Sequence, residues 1–310
     1  MNKENTGIKH TAFVCLILIA LILGIFFHVA FGKEAPERNE EISVVLYSAG
    51  TGGWEAFQEG LKRAEDDFSV NVNCVILQSG ADAEEQLVAI EREVENGAEG
   101  IIVAVADYKG LYKLIQEKTL TVPIVTVESG FGESTASFIS ADNYEMGKKL
   151  GEEILNDFAG QTDLTVALDT KTVYRDSVEQ REQGLRDALE GKAEIISLRE
   201  AANGEGADAA VALHKETLLD LAELKSSALD GTKKYGIGNT TSIVAALDQG
   251  RIEKLVFQNE FNMGYLAVET LLGKIGSTKS EQRKNIDSFC VSSEEIYNTP
   301  YEQLLFPIVK

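Results

Sequence analysis

Two amides stand out as groups able to hold a polar ligand. They lie in the stretch YGIGNTTSIVAALDQGRIEKLVFQNEFNMGY, Tyr235 to Tyr265. Ile243, Val244, Ala246 and Leu247 recur at helical spacing ahead of Gly250, and Leu255, Val256 and Phe257 form a short apolar run suited to a buried parallel strand. A strand, helix, strand unit of this kind brings Asn239 and Gln258 to the carboxyl ends of neighbouring strands, where open α/β sheets bind ligands. An amide both donates and accepts hydrogen bonds, as a sugar hydroxyl demands of its partner. Two turn amides that hold no ligand are the alternative reading. Glu128 follows the apolar run Val122 to Val127, and a carboxylate at the end of a buried strand needs a partner, so a functional role is the stronger reading there.

Catalysis is not expected. Gly50-Thr51-Gly52-Gly53 follows a strand and precedes a helix, but Glu55 stands where a dinucleotide fingerprint has its third glycine. The chain has no Gly-x-Ser-x-Gly elbow and no phosphate-binding loop. Of its 3 histidines, only His214 could serve as a general base. Cys15, Cys74 and Cys290 have neither metal-ligand spacing nor the pattern of a disulfide framework. No cofactor is expected.

The elements that must position Asn239, Gln258 and Glu128 follow from hydrophobic patterning. The segments 42–47, 70–77, 100–105 and 123–127 are near-continuously apolar, and amphipathic helices separate them. That alternation predicts an α/β fold with parallel sheets covered on both faces, doubly wound by the right-handed crossover rule. A second half repeats the pattern from Asn143, with a closing strand expected around Phe289 to Val291. One connection resists it: EAANGEGAD, Glu200 to Asp208, is too short for a helical crossover. Either the strands it joins are not parallel neighbours, or a helix is absent.

The 310 residues carry a net charge of −21, from 50 acidic against 29 basic side chains. Binding to a phosphate backbone needs a basic face, so no nucleic-acid partner is expected. Residues 11–32 are almost wholly apolar and are preceded by Lys3 and Lys9, which predicts a membrane anchor with residues 1–10 in the cytoplasm and the rest outside. Ala30-Phe31-Gly32 leaves a cleaved signal, and hence a secreted protein, as the alternative. Cys15 lies at the start of the apolar run, the wrong place for lipidation. Residues 33–41 form a charged tether.

From Ile42 onward the chain resembles the type I periplasmic solute-binding proteins, the ribose-binding and LacI-like sugar receptor group. The resemblance rests on Trp54 and Gly60 in the first helix, Val122-Pro123-Ile124-Val125, ISADNYEMGKKLGEEI from Ile139 to Ile154, and the Arg181 and Gly184 helix. It also rests on ADAAVALHKETL from Ala207 to Leu218, and on Gln258 with Gly264-Tyr265. It implies two lobes, residues 42–141 plus 259–289 and residues 142–258 plus 290–310, with crossings near Ala141-Asp142, near Asn259 to Phe261, and near Cys290. It implies a small polar ligand, a monosaccharide or sugar-like molecule, closed between the lobes.

By the same resemblance Trp54 stacks on the ligand, Tyr47 and Thr51 share its loop, and Asp107 ends the third strand. Glu128 keeps the family's acid, while Ser129 replaces its following cation. His214 and Asn239 take positions often filled by Asn or Asp, Gln258 matches the family amide, and Arg181 or Arg175 substitutes for a binding arginine whose place Glu179 occupies. The implied partner is an ABC permease. The alternative is a separate histidine kinase to which an anchored receptor reports occupancy. A degenerate lobe that binds a partner protein is a third reading.

Overall fold

The computed structural model describes residues 40–50, 52–118, 120–169, 174–275 and 282–306. The predicted anchor at residues 11–32, the tether up to residue 39 and Thr51 lie outside them. Among the described residues no helix is long and apolar enough to cross a membrane.

The first lobe is built from β1 (Glu41–Leu46), α1 (Glu55–Phe68), β2 (Asn71–Ile76), α2 (Ala83–Glu95), β3 (Gly100–Ala104), α3 (Tyr108–Glu117), β4 (Ile124–Val127) and β5 (Ser137–Ser140). The second contains α4 (Asn143–Asp157), β6 (Leu164–Leu168), α5 (Asp176–Leu189), β7 (Ala193–Ser197), β8 (Ala209–Ala212), α6 (Lys215–Glu223), β9 (Lys233–Ile237), α7 (Thr241–Asp248) and β10 (Lys254–Gln258). The chain then returns through α8 (Glu260–Leu272), β11 (Gln282–Asn285), β12 (Ser288–Ser292) and α9 (Tyr301–Leu305). Local sequence explains the main elements. Phe57, Gly60, Leu61 and Ala64 make the buried stripe of α1, at the spacing of one helical face. Asp82 and Glu85 form a reciprocal capping box at the start of α2. Every residue of β3 is buried, as a strand covered on both faces requires.

One sheet runs β2-β1-β3-β4-β5-β11 and the other β7-β6-β8-β9-β10-β12. All pairings are parallel except β10 with β12, where Phe257 faces Phe289. This is the doubly wound α/β architecture expected, with two differences. The short strand β5 adds to the four expected in the first half. The closing segment is two strands, one for each sheet, so the third crossing falls at Ile286–Asp287. Ser288 and Phe289 pair in the second sheet, and Cys290 sits within β12 opposite Val256 and is not a crossing point. The backbone fixes the turn: the Ile286 N–H donates to the Ser140 carbonyl at 3.1 Å and the Asn259 N–H to the Asp287 carbonyl at 3.1 Å.

The short connection resolves through strand order. β6 lies between β7 and β8, so these two are not neighbours. The link is a compact helical turn over Leu198–Glu205, opened by Ser197, whose Oγ accepts from the Glu200 N–H at 3.2 Å. Cys74 on β2 and Cys290 on β12 are free and half-buried, one in each sheet.

Each lobe packs a helix pair through facing glycines. A Cβ on Gly60 of α1 would lie 2.0 Å from the Phe261 carbonyl oxygen, and one on Gly264 of α8 would lie 2.3 Å from that of Phe57. In the second lobe the same holds for Gly147 of α4, 1.9 Å from the Arg181 carbonyl, and Gly184 of α5, 2.0 Å from that of Tyr144. Both backbones approach closer than any side chain permits.

Candidate functional site

The carboxyl ends of the two sheets face one another, and the side chains that leave them meet in one buried polar cluster. Tyr47 follows β1 and Glu128 follows β4. Glu128 has φ 60, a left-handed backbone unusual for a residue with a side chain and most often met where function fixes the geometry. Its carboxylate accepts from the Tyr47 hydroxyl at 2.8 Å, from Arg181 at 2.7 Å and from Ser177 at 3.2 Å. The last two stand on α5, in the other lobe, so this carboxylate joins the lobes.

Arg181 is held from several sides. Its Nε donates to Asn143 Oδ1 at 2.8 Å and its Nη1 to the Leu213 carbonyl at 3.1 Å. Asn143 in turn donates to the Glu128 carbonyl at 3.3 Å. Arg175, at the start of α5, lies 4.1 Å from the centre of the Tyr47 ring and donates to both oxygens of Glu216, at 2.9 and 3.2 Å. His214 immediately precedes α6 and places Nδ1 2.9 Å from Glu216. Lys215 reaches back to the first lobe, donating to the Gly53 carbonyl at 2.6 Å and pairing with Glu260.

Burial and charge set the protonation of these groups. Burial alone raises the Glu128 carboxyl, but Arg181 and Arg175, with the Tyr47 hydroxyl, hold it below the usual carboxylate range. Burial likewise opposes Glu216, which His214 and Arg175 hold down at about 2. Burial pushes the Tyr47 phenol well up, keeping it a donor, and pushes Glu260 up against the pull of Lys215.

The cavity at the centre is lined by Tyr47, Glu128, Arg175, Arg181, His214, Lys215, Asn239, Gln258 and Glu260, with Met146, Ile237, Gly238 and Phe257, and its free volume is only ≈ 10 Å³. That is room for about one water molecule. The side chains of the two lobes fill the cleft between them.

Of the residues singled out in the sequence, Tyr47, Glu128, Arg181, His214, Asn239 and Gln258 line this cavity. Gln258 uses its Oε1 to accept from the Ala141 N–H at 3.0 Å, tying two crossings together. Trp54 stands one layer behind: it is buried, its indole N–H donates to the Tyr47 carbonyl at 2.8 Å, and its ring packs edge-on against Tyr47 and Phe57. Asp107 caps α3, accepting from the Gly110 N–H at 3.0 Å, and is not in the cavity wall. Asp142 caps α4, accepting from the Glu145 N–H at 3.0 Å. Asn143, Ser177, Lys215, Glu216 and Glu260 were missed. Each lies one or two residues past the end of a strand or at a helix start, and position at those ends was the signal that could have found them.

The sequence profile described as "Periplasmic binding protein domain" matches residues 42–220, more than half of the chain. Among solved structures, a carbohydrate transporter solute-binding protein from Agrobacterium radiobacter in complex with D-arabinose matches with TM-score 0.75 and 18% identity, over 87% of this chain and 99% of that one. A solute-binding protein of an ABC transporter from Agrobacterium vitis with bound D-fucose matches with TM-score 0.71 and 17% identity, over 86% and 100%. The XylFII-LytSN complex contains a chain that matches with TM-score 0.67 and 16% identity, over 83% and 98%. No curated protein matches. Two doubly wound lobes with a polar cleft at their strand ends are the architecture these matches share with the chain. The chain belongs to the periplasmic binding protein family.

Proposed function

We propose that this protein captures a small polar ligand, a monosaccharide or sugar-like molecule, between its lobes and delivers it to an ABC transporter. The observation that carries this reading is the Glu128 carboxylate, held in a left-handed backbone and shared by Tyr47 of one lobe and Arg181 and Ser177 of the other. A group so placed bonds to whatever lies between the lobes and senses their separation. Because the closed cleft is filled by side chains, binding proceeds from an opened form, and the ligand replaces contacts that the lobes otherwise make with each other. A population shift toward the ligand-bridged closed form follows. Arg181, Glu128, Asn239 and Gln258 supply hydrogen bonds, and Tyr47 offers an aromatic face. Residues 11–32 act in this reading as the anchor that keeps the lobes outside the cytoplasm.

A second reading shares the site and changes the partner. The structural neighbour XylFII is seen in complex with a second protein, LytSN, which favours a receptor that reports occupancy, here to a separate histidine kinase in the membrane.

The test is the thermal midpoint of the full chain in mild detergent against pentoses, hexoses, polyols and nucleosides. A ligand that binds only the folded state raises the midpoint with concentration, and the single tryptophan, Trp54, sits against Tyr47 and reports the same event by fluorescence. A folded protein that responds to no compound in the panel refutes capture of such a ligand. A responding protein that binds a kinase sensor domain only when loaded decides for the second reading.

A further inference from the structure

The charges in the cleft are divided between the lobes by sign. The first lobe contributes Glu128, at the end of β4, and Glu260, at the start of α8, which packs on α1; both are 3–4% exposed. The second contributes Arg175, Arg181 and Lys215, together with Glu216. That one acid is satisfied within its own lobe, by Arg175 at 2.9 and 3.2 Å and by His214 at 2.9 Å. What remains facing across the cleft is two carboxylates on one side, and Arg181 and Lys215 on the other. They pair as Glu128 with Arg181 at 2.7 Å and Glu260 with Lys215. At the rim the order reverses: Lys109 and Glu179 lie 3.6 Å apart at 70% and 49% exposure, a pair that solvent screens, and Arg283 of the first lobe acts on Asp176 of the second.

A molecule that enters between the lobes must separate both buried pairs. Two of the charges keep neutral partners of their own lobe: Glu128 retains the Tyr47 hydroxyl, and Arg181 retains Asn143 and the Leu213 carbonyl. None of these replaces a counter-charge, and a buried charge stripped of its partner is strongly unfavourable. Hydroxyl groups can bond to carboxylate and guanidinium alike, but hydrogen bonds in which both partners are charged are the stronger ones. The matching molecule therefore offers N⁺–H donors to one side and anionic oxygen to the other. We infer that the ligand of this cleft is dipolar: a small hydroxylated molecule whose ammonium group meets Glu128 and Glu260 and whose carboxylate meets Arg181 and Lys215. The inference rests on the proposed capture of a small ligand between the lobes and names its class.

Four open-chain polyols of one carbon skeleton test it: D-sorbitol, neutral; D-glucamine, a cation; D-gluconate, an anion; and D-glucosaminate, which carries both groups. The full chain is titrated with each, and the rise in thermal midpoint is followed together with titration calorimetry. D-glucosaminate should act at about tenfold lower concentration than D-sorbitol, a factor equal to ~1.4 kcal/mol, with the singly charged compounds between them. In Lys215→Gln and Glu260→Gln the advantage of D-glucosaminate over D-sorbitol should shrink; it is read as a ratio within each variant, so a change in the variant's own stability does not enter. D-sorbitol acting at equal or lower concentration than D-glucosaminate overturns the dipolar ligand while leaving capture intact. A response to neutral pentoses or hexoses with none to D-glucosaminate does the same. Silence toward every compound, neutral sugars included, overturns capture and this inference together.

Discussion

The two lobes share one strand order but differ in what covers the outer face of their central strands. In the first, Val45, Ile101 and Val103 form a layer beneath α2 and α3 with Leu87, Ile90 and Leu111. In the second, the places that match Val45, Val103 and, just past β3, the equally buried Val105 are Ala167, Ala210 and Ala212, packed with Ala201 of the turn Leu198–Glu205. The first lobe has a thirteen-residue helix in its second crossover, where the second has only that turn. A short turn cannot stand off from the sheet as a helix does, so the strands beneath it carry methyl groups where the other lobe carries branched chains. Shortening a connection and trimming the core under it are one adaptation.

Substitutions can break that comparison. The largest effect is expected from Ile101→Ala, which opens a cavity beneath a helix that cannot follow; about 2–5 kcal/mol of unfolding free energy should be lost in urea titrations. A loss below about 1 kcal/mol would show that the helical layer relaxes as easily as the turn. Next comes the reverse change, Ala210→Ile, which overfills the space below the turn. It should cost about 1–3 kcal/mol, and amide exchange should quicken over residues 198–206 before any region of the first lobe. Smaller still are the caps of the two crossovers. Ser197→Ala and Asp82→Ala each remove one half of a capping box, at about 1 kcal/mol for a typical cap. If the turn depends on its cap more than the longer helix does, Ser197→Ala will be the costlier of the two; equal costs would say that the turn is held by Ala201 and its neighbours alone.

Acid separates the lobes in a last, milder way. Glu216, in the second lobe, is held at about 2, so the stability it contributes is fully present above the ordinary carboxylate range and is lost as pH falls toward that value. Glu260, in the first, is raised by burial, so its charged form costs stability at higher pH, and that cost disappears on acidification. Midpoints measured down the acid range should therefore fall less steeply in Glu216→Gln than in the unaltered chain. An unchanged slope would remove Glu216 as a contributor.

The alternation of apolar strands and amphipathic helices made the lobes legible in the sequence, and Glu128 was legible because a carboxylate directly follows a buried run. The short Glu200 to Asp208 connection showed that a helix could be absent there, but nothing local said that a turn would lie upon the alanines of ADAAVALH. Lys215 and Glu260 escaped because they are 45 residues apart and on different lobes; their chemistry exists only once the lobes meet. Trp54 shows the converse case, a position whose depth no local signal sets. Its position suggested a surface for the ligand, yet Tyr47 takes the cavity wall and Trp54 supports it from behind, since the Tyr47 carbonyl holds the indole N–H. Asp107, a strand-end acid followed by a helix, serves as that helix's cap.

The third crossing, at Ile286–Asp287, bears on how the molecule comes into being. β11 completes one sheet and β12 the other, only a few residues apart along the chain. The two sheets are therefore completed together: both keep an open edge, β5 in one and β10 in the other, until residues 282–292 are in place. A chain that stopped before Gln282 would expose two unpaired edges at once, each a template for joining strands from another molecule.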